Sequence, residues 1–271
     1  MRLVQTIIPL TLLGLVGCAS DLGGLPPGPG DDDPIDGADA GTGPVDDGRV
    51  SIGLQSVYKF DIGSGLAVND VSGVGQPADL YIADPAAVEW MAGGGLNVIA
   101  PTLLATQDPA TKIGYSCQAS NAITIEAWVR PAATNQAGPA RIVTLSGGND
   151  VRNFTLAQDN TLLDARVRTT DTDQNGEPAT VSDVTAFSGQ IVHVAYTRSG
   201  LDDEAAVWIN GQISGTTTLA GDFSTWDMTY RLGVANELNG ERPWRGEIYL
   251  VAVYCRDLTP GEIFQNYTAG Y

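Results

Sequence analysis

Short apolar segments broken by Gly, Asn and Asp recur along the chain from residue 50 to its end. They occupy residues 56–62, 78–83, 122–130, 140–147, 151–158, 161–170, 190–198, 204–211, 229–235 and 245–258. Their β-branched and aromatic content and the frequent turn signals predict strands, and many short strands in one region are typical of a sandwich. Helical periodicity is sustained only over 259–267, where Thr259 can cap a short helix that Pro260 begins. The pattern predicts an all-β fold, a two-sheet antiparallel β-sandwich with a short C-terminal helix.

The N-terminus indicates export. Arg2 precedes an apolar run over residues 3–16, too short to span a bilayer as a helix, and this run leads into LVGC at residues 15–18. A basic start, an apolar stretch and small residues before a cysteine resemble a bacterial lipoprotein signal, which implies cleavage before Cys18 and acylation of Cys18. The alternative is an ordinary secretory signal with a chance cysteine. Ala19 rather than Asp follows Cys18, and this resembles outer-membrane cargo in the sorting pattern of Gram-negative bacteria.

The segment after the signal has a different composition. Residues 21–48 contain eight aspartates, no basic residue and almost no large apolar side chain, so burial cannot offset the entropy of ordering them. We therefore expect a signal peptide over 1–17, an acidic disordered tether over 18–49 and one domain over 50–271. Weak calcium binding by the aspartates is the alternative, but an unstructured run holds no fixed coordination geometry.

The net charge of the domain limits its possible partners, and its cysteine content bears on the redox compartment. Residues 49–271 carry thirteen Lys/Arg and twenty-four Asp/Glu, a net charge of −11, which opposes binding to nucleic acid. Besides Cys18 the chain has two cysteines, Cys117 and Cys255, and an even pair in an exported domain suggests a disulfide. Two buried free thiols are the alternative. The bridge would constrain the unfolded chain by about 4–5 kcal/mol.

Four motifs resemble the laminin-G-like domains of the concanavalin A-like lectin/glucanase superfamily. They are YKFDIGSGLAVNDVSGVG at 58–75, ITIEAWVRP at 123–131, VHVAYTRSGLDDEAAVWINGQ at 192–212 and RGEIYLVAVYCRDLTPGEI at 245–263. With the signal, the chain resembles a bacterial lipoprotein carrying such a domain. The resemblance implies a jelly roll of two antiparallel sheets, one of them curved, whose concave face holds sugar in related lectins and glucanases. Fold alone does not establish function.

The sequence lacks the usual catalytic arrangements. Glycoside hydrolases need two facing carboxylates, and laminarinase-type glucanases carry theirs as E-x-D-x-x-E, a triplet that is absent here. Glu126 stands alone on its segment, and Glu247 has no acidic partner at two-residue spacing. His193, the one histidine of the chain, has the apolar neighbours Ile191 and Ala195, which predicts a packed imidazole bonded to backbone or to a carboxylate rather than a base. We expect no catalytic residue and no enzymatic activity.

Calcium is the one cofactor that the sequence suggests. The stretch DTDQNGEPATVS at 171–182 begins like a calcium loop, with Gly176 at the sharp turn, although Ser182 replaces the bidentate glutamate and predicted strands flank it. An EF-hand is therefore excluded, while another oxygen-rich loop and a plain Asn-Gly hairpin both stay open. The candidate ligands are Asp171, Asp173 and Asn175 and, by family resemblance, Asp61 and Asp70.

Sugar binding requires exposed aromatic rings beside amide or carboxylate groups. Two tryptophans lie in polar, loop-like surroundings, with polar residues near the second. The alternative is that both tryptophans cap the sandwich core, since tryptophan is usually largely buried. The candidate binding residues are Trp226, Trp244, Asn236, Glu237 and Arg242.

Three functions remain open. The sequence favours a non-catalytic, lipid-anchored recognition module of the bacterial cell envelope, at the outer membrane, whose partner is a glycan or a surface protein. A polysaccharide-acting enzyme with an unrecognised site and a purely structural envelope lipoprotein are the alternatives. A pocket with two carboxylates about 5–10 Å apart would favour the enzyme, and a filled concave face would oppose it. A flat polar face without aromatics would favour the structural role.

Overall fold

The computed structural model describes residues 47–271. The predicted signal peptide, Cys18 and the tether up to residue 46 lie outside the described residues. The strands, in chain order, are β1 (Leu54–Lys59), β2 (Ala67–Val68), β3 (Leu80–Ile82), β4 (Val88–Trp90), β5 (Leu96–Val98), β6 (Leu104–Thr106), β7 (Ile123–Pro131), β8 (Gln136–Gly148), β9 (Val151–Asn160), β10 (Leu162–Val167), β11 (Thr180–Val181), β12 (Val192–Arg198), β13 (Glu204–Ile209), β14 (Gln212–Thr218), β15 (Arg231–Val234) and β16 (Gly246–Tyr254). Two α-helices, α1 (Thr111–Ser120) and α2 (Pro260–Ala269), and a 3₁₀ turn (Pro85–Ala87) complete the fold.

The strands form two antiparallel sheets. Sheet A has the order β14-β13-β12-β7-β16-β5-β4, with β1 also paired to β16, and sheet B has the order β11-β10-β9-β8-β15-β6-β3-β2. The predicted all-β sandwich with a C-terminal helix is confirmed, and each of the ten predicted segments contains a strand. Five of the strands that the sequence did not predict are only two or three residues long, too short to show an alternating pattern.

The main core lies between the sheets. It joins residues such as Ile125 and Val251 of sheet A to Leu145 and Phe154 of sheet B, all of them at most 1 % exposed. Strand alternation sets which side chains enter it: Leu80 and Ile82 of β3 belong to this core. The residue between them therefore points away from the core, to the side of sheet B that we call its outer face.

A second apolar cluster lies on the opposite side of sheet A. Helix α2 and the preceding loop contribute Leu258 and Ile263 to it, and sheet A contributes Trp128 and Tyr254. The rings of Trp128 and Tyr267 stack with their centroids 5.7 Å apart. Because α2 covers this outer face of sheet A, β16 is buried on both sides along its whole length.

The two helices differ in how far the sequence predicts them. Thr259 and Glu262 cap α2 reciprocally, with Pro260 at the start of the helix as the sequence predicts. Helix α1 was not predicted, and the expectation of a single helical segment is wrong. Its buried side is small, consisting of Ile113, Gly114 and Cys117, so its pattern is weak and its stability comes from tertiary packing.

A disulfide joins α1 to the end of β16. Cys117 and Cys255 are bonded across 138 residues of chain, so the predicted bridge is confirmed and the free-thiol alternative is wrong. In the described part of the chain, no helix has the length and apolar character needed to cross a membrane.

Candidate functional site

Register aligns one row of side chains across the outer face of sheet B. Residues directly opposite each other on neighbouring strands point to the same side of a sheet. The row runs Tyr81, Ala105, Gly233, Thr144, Thr155 and Arg166. Five strand spacings separate its ends, roughly 24 Å. Small side chains occupy its middle, and an aromatic ring and a guanidinium group mark its ends.

The loop after β15 fills the middle of this row. A Cβ atom at Gly233 would lie 3.0 Å from Leu238 Cδ2 and 3.3 Å from Leu103 Cδ1, so these two leucines cover the glycine. Glu237 is fully buried, accepting hydrogen bonds from Arg141 Nε at 2.9 Å and from the Ser146 hydroxyl. The centre of the outer face of sheet B is thus occupied by the protein's own loop.

The predicted binding residues Asn236, Glu237 and Arg242 hold this loop in place. Asn236 Oδ1 accepts from the backbone N–H groups of Glu237 at 2.9 Å and of Arg242 at 3.0 Å, which folds the loop back on itself. The carboxylate of Glu237 is bonded to Arg141 and Ser146, as described above. Their described contacts are therefore structural.

Both candidate tryptophans are buried. Trp244 is 0 % exposed, with its Nε1 donating to Gln158 Oε1 at 3.0 Å. Trp226 is 5 % exposed, donates from Nε1 to Arg168 O at 2.7 Å, and stacks on Phe223 with centroids 4.4 Å apart. The expectation of exposed tryptophans is wrong, and the alternative that they cap the core fits their burial. Loops rich in turn residues surround them, but their rings turn inward to a large apolar core.

An exposed aromatic ring that is not among the predicted binding residues lies at the edge of sheet B. Tyr81 is 41 % exposed and faces an open groove of about 270 Å³, lined by residues 76–79, Tyr81 and 106–112, which we call the Tyr81 groove. Asp79 and Asp108 contribute carboxylates to it and Gln107 an amide. The signal was available in LYI at 80–82, because an aromatic between two core residues on a strand must point outward.

Beside the loop after β15 lie two buried guanidinium groups, Arg141 and Arg152, which we call the arginine pair. They are 1 % and 0 % exposed, and both donate from Nη2 to the backbone oxygen of Asn149, Arg141 at 3.1 Å. Arg152 Nη1 also donates to Thr155 Oγ1 at 3.1 Å. Burial, reinforced by the charge of Arg141, lowers the pKa of Arg152 to about 10, so the group remains protonated at neutral pH.

The predicted calcium loop lies next to this pair. Asp173 Oδ1 accepts from the N–H groups of Asn175 at 2.9 Å and Glu177 at 3.0 Å, and Gln174 O accepts from the Arg152 amide at 3.0 Å. Arg166 bonds Glu177 at 2.7 Å, which brings a positive charge to the loop. Over residues 47–271 no group of three or more His, Cys, Asp or Glu side chains is arranged to hold a metal ion.

The other predicted calcium ligands lie apart from that loop. Asp171 and Asp61 are exposed. Asp70 is buried, forms an ion pair with Lys112, and accepts from the amides of Ser72 at 3.1 Å and Ala78 at 3.1 Å. The structure does not bring Asp61 and Asp70 together with the 171–175 loop into one site, and it gives Asp70 a lysine partner.

His193 and Glu126 meet beneath α2. His193 Nε2 lies 3.2 Å from Glu126 Oε2, and both side chains are fully buried, so the predicted packed imidazole bonded to a carboxylate is confirmed. Glu126 also accepts from Arg49 Nη1 at 2.5 Å and from Asn266 Nδ2 at 3.1 Å. Burial alone would raise the pKa of Glu126, but the hydrogen bond with His193 and the charge of Arg49 outweigh it and lower that pKa below its ordinary value.

Glu247 lies at the other end of sheet A. It bonds Arg130 and the hydroxyl of Tyr249, and although burial acts to raise its pKa, these two bonds lower it. The adjoining pocket of about 360 Å³ has Glu247 as the single carboxylate among its described lining residues. This pocket therefore lacks the two facing carboxylates that glycoside hydrolysis uses.

Solved structures resemble the domain at low identity. A Trypanosoma rangeli sialidase in complex with 2,3-difluorosialic acid superposes with a TM-score of 0.55 at 17 % identity, covering 79 % of this chain and 33 % of that chain. A botulinum neurotoxin type C structure, described by cell entry that depends upon two ganglioside molecules, gives 0.57 at 10 %, covering 82 % and 52 %. The chain thus spans about a third and about half of these proteins. At such identities the likeness shows the fold.

A search of curated proteins finds no match. A laminin-G-type family model, described as the concanavalin A-like lectin/glucanases superfamily, matches residues 106–264, which is more than half of the chain. Together with the two antiparallel sheets, this match shows that the protein belongs to that family.

Proposed function

We propose that the protein is a non-catalytic carbohydrate-recognition module, anchored by lipid in the bacterial cell envelope, and that the Tyr81 groove holds the sugar. The observation that carries the proposal is the exposed ring of Tyr81 beside the carboxylates of Asp79 and Asp108 in one open groove. An aromatic face offers an apolar platform for the C–H face of a pyranose, and a few polar groups fix its orientation.

Membership of a lectin/glucanase family supports a sugar ligand. The fold neighbours point the same way, since one is a sialidase in complex with a sialic acid analogue and another is a neurotoxin described with gangliosides. The filled centre of the outer face of sheet B directs the ligand to its edge, where the groove is open.

A glycan array followed by calorimetric titration of the full chain tests the groove. We expect Tyr81→Ala to weaken binding at least about tenfold, about 1.4 kcal/mol, because the stacking platform is lost. Tyr115→Ala is the matched control, since Tyr115 is 60 % exposed on α1 and lies outside the residues that line the groove. Equal binding by both variants would remove the groove from the proposal. A folded protein that binds a surface protein and no glycan would replace the sugar with a protein partner.

The two carboxylates of the groove keep hydrolysis as a second candidate function. A glycosidase places two carboxylates on either side of the scissile bond. Asp79 Oδ1 accepts from the Asp70 amide at 2.8 Å, so one of its oxygens already serves the fold. We expect no release of reducing ends from any bound glycan. Turnover abolished by Asp108→Asn would make the protein an enzyme.

A separate experiment tests the proposed lipid anchor at Cys18. The resemblance of the N-terminus to a lipoprotein signal supports acylation of Cys18, and Ala19 after it supports the outer membrane as the destination. Metabolic labelling with palmitate in a Gram-negative host is expected to mark the wild-type protein and to leave Cys18→Ala unlabelled. Equal labelling of both, or soluble release of the wild type, would leave an ordinary secreted protein.

A further inference from the structure

We propose that the arginine pair, Arg141 and Arg152, recognises the anionic group of an acidic saccharide, a carboxylate or a sulfate. The proposal rests on the proposed function in that the ligand is a glycan. It extends that function from the Tyr81 groove to the strands β8 and β9 on the same face of sheet B.

The first observation is an imbalance of buried charge. Two guanidinium groups are buried together, and Glu237 is the single carboxylate that contacts them among the described residues. Buried charges in proteins are normally paired, because an unpaired one loses its hydration without compensation. Glu126 and Asp70 follow that rule in this molecule, with Arg49 and Lys112 as their partners. Arg152 departs from it.

A third buried arginine of the same domain, Arg198, shows what a structural buried guanidinium looks like. Arg198 is also 0 % exposed, but its three nitrogens donate to Leu219 O, Asn121 O, Asn121 Oδ1 and Gly221 O, with Asp203 at 3.4 Å as a counterion. Arg152 has two neutral acceptors, Thr155 Oγ1 and Asn149 O, and within residues 47–271 its Nε has no partner. Both guanidinium groups are fully buried, but Arg198 has an acceptor for each nitrogen and a counterion, whereas Arg152 has no counterion in contact and no acceptor for Nε among residues 47–271.

The geometry of the pair suits an incoming anion. Both guanidinium groups converge on one backbone oxygen, that of Asn149, which carries only the partial charge of a carbonyl. A carboxylate or sulfate oxygen in that position would form charge-assisted bonds, roughly twice as strong as those to a neutral acceptor. A planar fork of donors is also the arrangement that arginine uses for such oxyanions.

The proposed access route is the turn between β8 and β9. Asp150 at this turn is exposed, and the side chain of Asn149 is tied down by a solvent-exposed bond to Glu241. In the proposed bound state this turn moves, so that Asn149 O is withdrawn and the anion takes its place. The net charge of −11 over residues 49–271 repels anions from the surface in general, so binding of one would report on this local pair.

Thermal unfolding and titration of the full chain test the proposal. Sodium glucuronate, N-acetylneuraminate and sulfate are compared with glucose and with chloride at equal ionic strength. We expect an acidic sugar to raise Tm by at least about 4 °C at a hundredfold excess over its Kd and to bind at least about tenfold tighter than its neutral analogue. Arg152→Gln is expected to abolish that preference. Arg166→Gln, which removes an arginine that already has Asp164 and Glu177 as partners, is expected to keep it.

Each outcome of these measurements either supports or overturns the proposal. No preference for acidic over neutral sugars in the wild type overturns the proposal without any variant, so it does not depend on Arg152→Gln folding. Preference retained in a folded Arg152→Gln also overturns it. Sulfate binding as tightly as the sugar acid would show an inorganic-anion site instead of a saccharide site. If no glycan binds at all, the proposed function fails, whereas a neutral glycan bound through Tyr81 without acid preference fails this inference alone.

Discussion

Helix α2 covers the outer face of sheet A, whereas loops cover only part of the outer face of sheet B. Under α2, the buried carboxylate of Glu126 has three side-chain partners, from Arg49, His193 and Asn266. On sheet B the buried Arg152 has neutral acceptors, and Tyr81 stays exposed at the sheet edge. Both faces bury charged groups, but Glu126 on sheet A has a counterion in contact, whereas Arg152 on sheet B has only neutral acceptors. The compensated charge on sheet A stabilises the fold, whereas the groove beside Tyr81 and the arginine pair on sheet B form the proposed binding surface.

Removing the partner of Glu126 should give the largest effect. Arg49 is the last residue of the predicted tether, and its side chain is 6 % exposed. Arg49→Ala leaves Glu126 buried with its strongest counterion gone, which should lower the free energy of unfolding by about 3–5 kcal/mol in urea titrations. Lys59→Ala is the control, since its pair with Asp47 is partly exposed and worth about 0–1 kcal/mol. A loss below about 1 kcal/mol for Arg49→Ala would mean that the face is not held by this pair.

Acidification should destabilise the same outer face of sheet A, through protonation of Glu126. The pKa of Glu126 is lower folded than its ordinary 4.5, so the stability it contributes is present above about pH 4.5 and is lost as the pH falls through the folded pKa. Urea midpoints between pH 3 and 7 should therefore fall less steeply on acidification in Glu126→Gln than in the wild type. Glu89→Gln, at an exposed position, should keep the wild-type slope. Parallel profiles for all three proteins would contradict the assignment.

Removing the buried charge of Arg152 on sheet B should change the free energy of unfolding less than Arg49→Ala does, with a tendency to raise it rather than lower it. Arg152→Met deletes a buried cation that has no counterion in contact, so we expect the free energy of unfolding to stay within about 1 kcal/mol of the wild type or to rise. Urea titration measures it beside Arg49→Ala. A loss as large as that of Arg49→Ala would show that Arg152 is a structural residue and would erase the difference between the two faces.

The sequence predicted what local pattern and chain order determine. The long strands, the capping of α2 by Thr259 and Glu262, and the bridge between Cys117 and Cys255 all follow from residues close in sequence or from simple pairing. The partner of His193 was predicted as a class, a carboxylate or backbone group. Its identity as Glu126 depends on the register of β7 and β12.

Tertiary placement could not be read in the same way. Trp226 and Trp244 stand among turn residues whether their rings face solvent or core, so the local pattern could not choose between the two alternatives. The arginine pair combines residues from β8 and β9 with Glu237 from a loop some ninety residues later, and burial of those groups follows only from how that loop folds back. Tyr81 differs, because its alternation with Leu80 and Ile82 already placed it outside the core.

Calcium at the 171–177 loop should give the smallest effect. Asp173 already accepts two backbone N–H groups and Glu177 is bonded by Arg166, so a cation would compete with groups that the fold already uses. We expect EDTA to shift Tm by less than about 1 °C and added calcium to reverse nothing, with Asp173→Asn behaving alike in both conditions. A rise of several degrees with calcium, lost in Asp173→Asn, would restore the predicted ligand set. It would also place a cation beside Arg152, so acidic saccharides would then meet a calcium ion in addition to the arginine pair on this face.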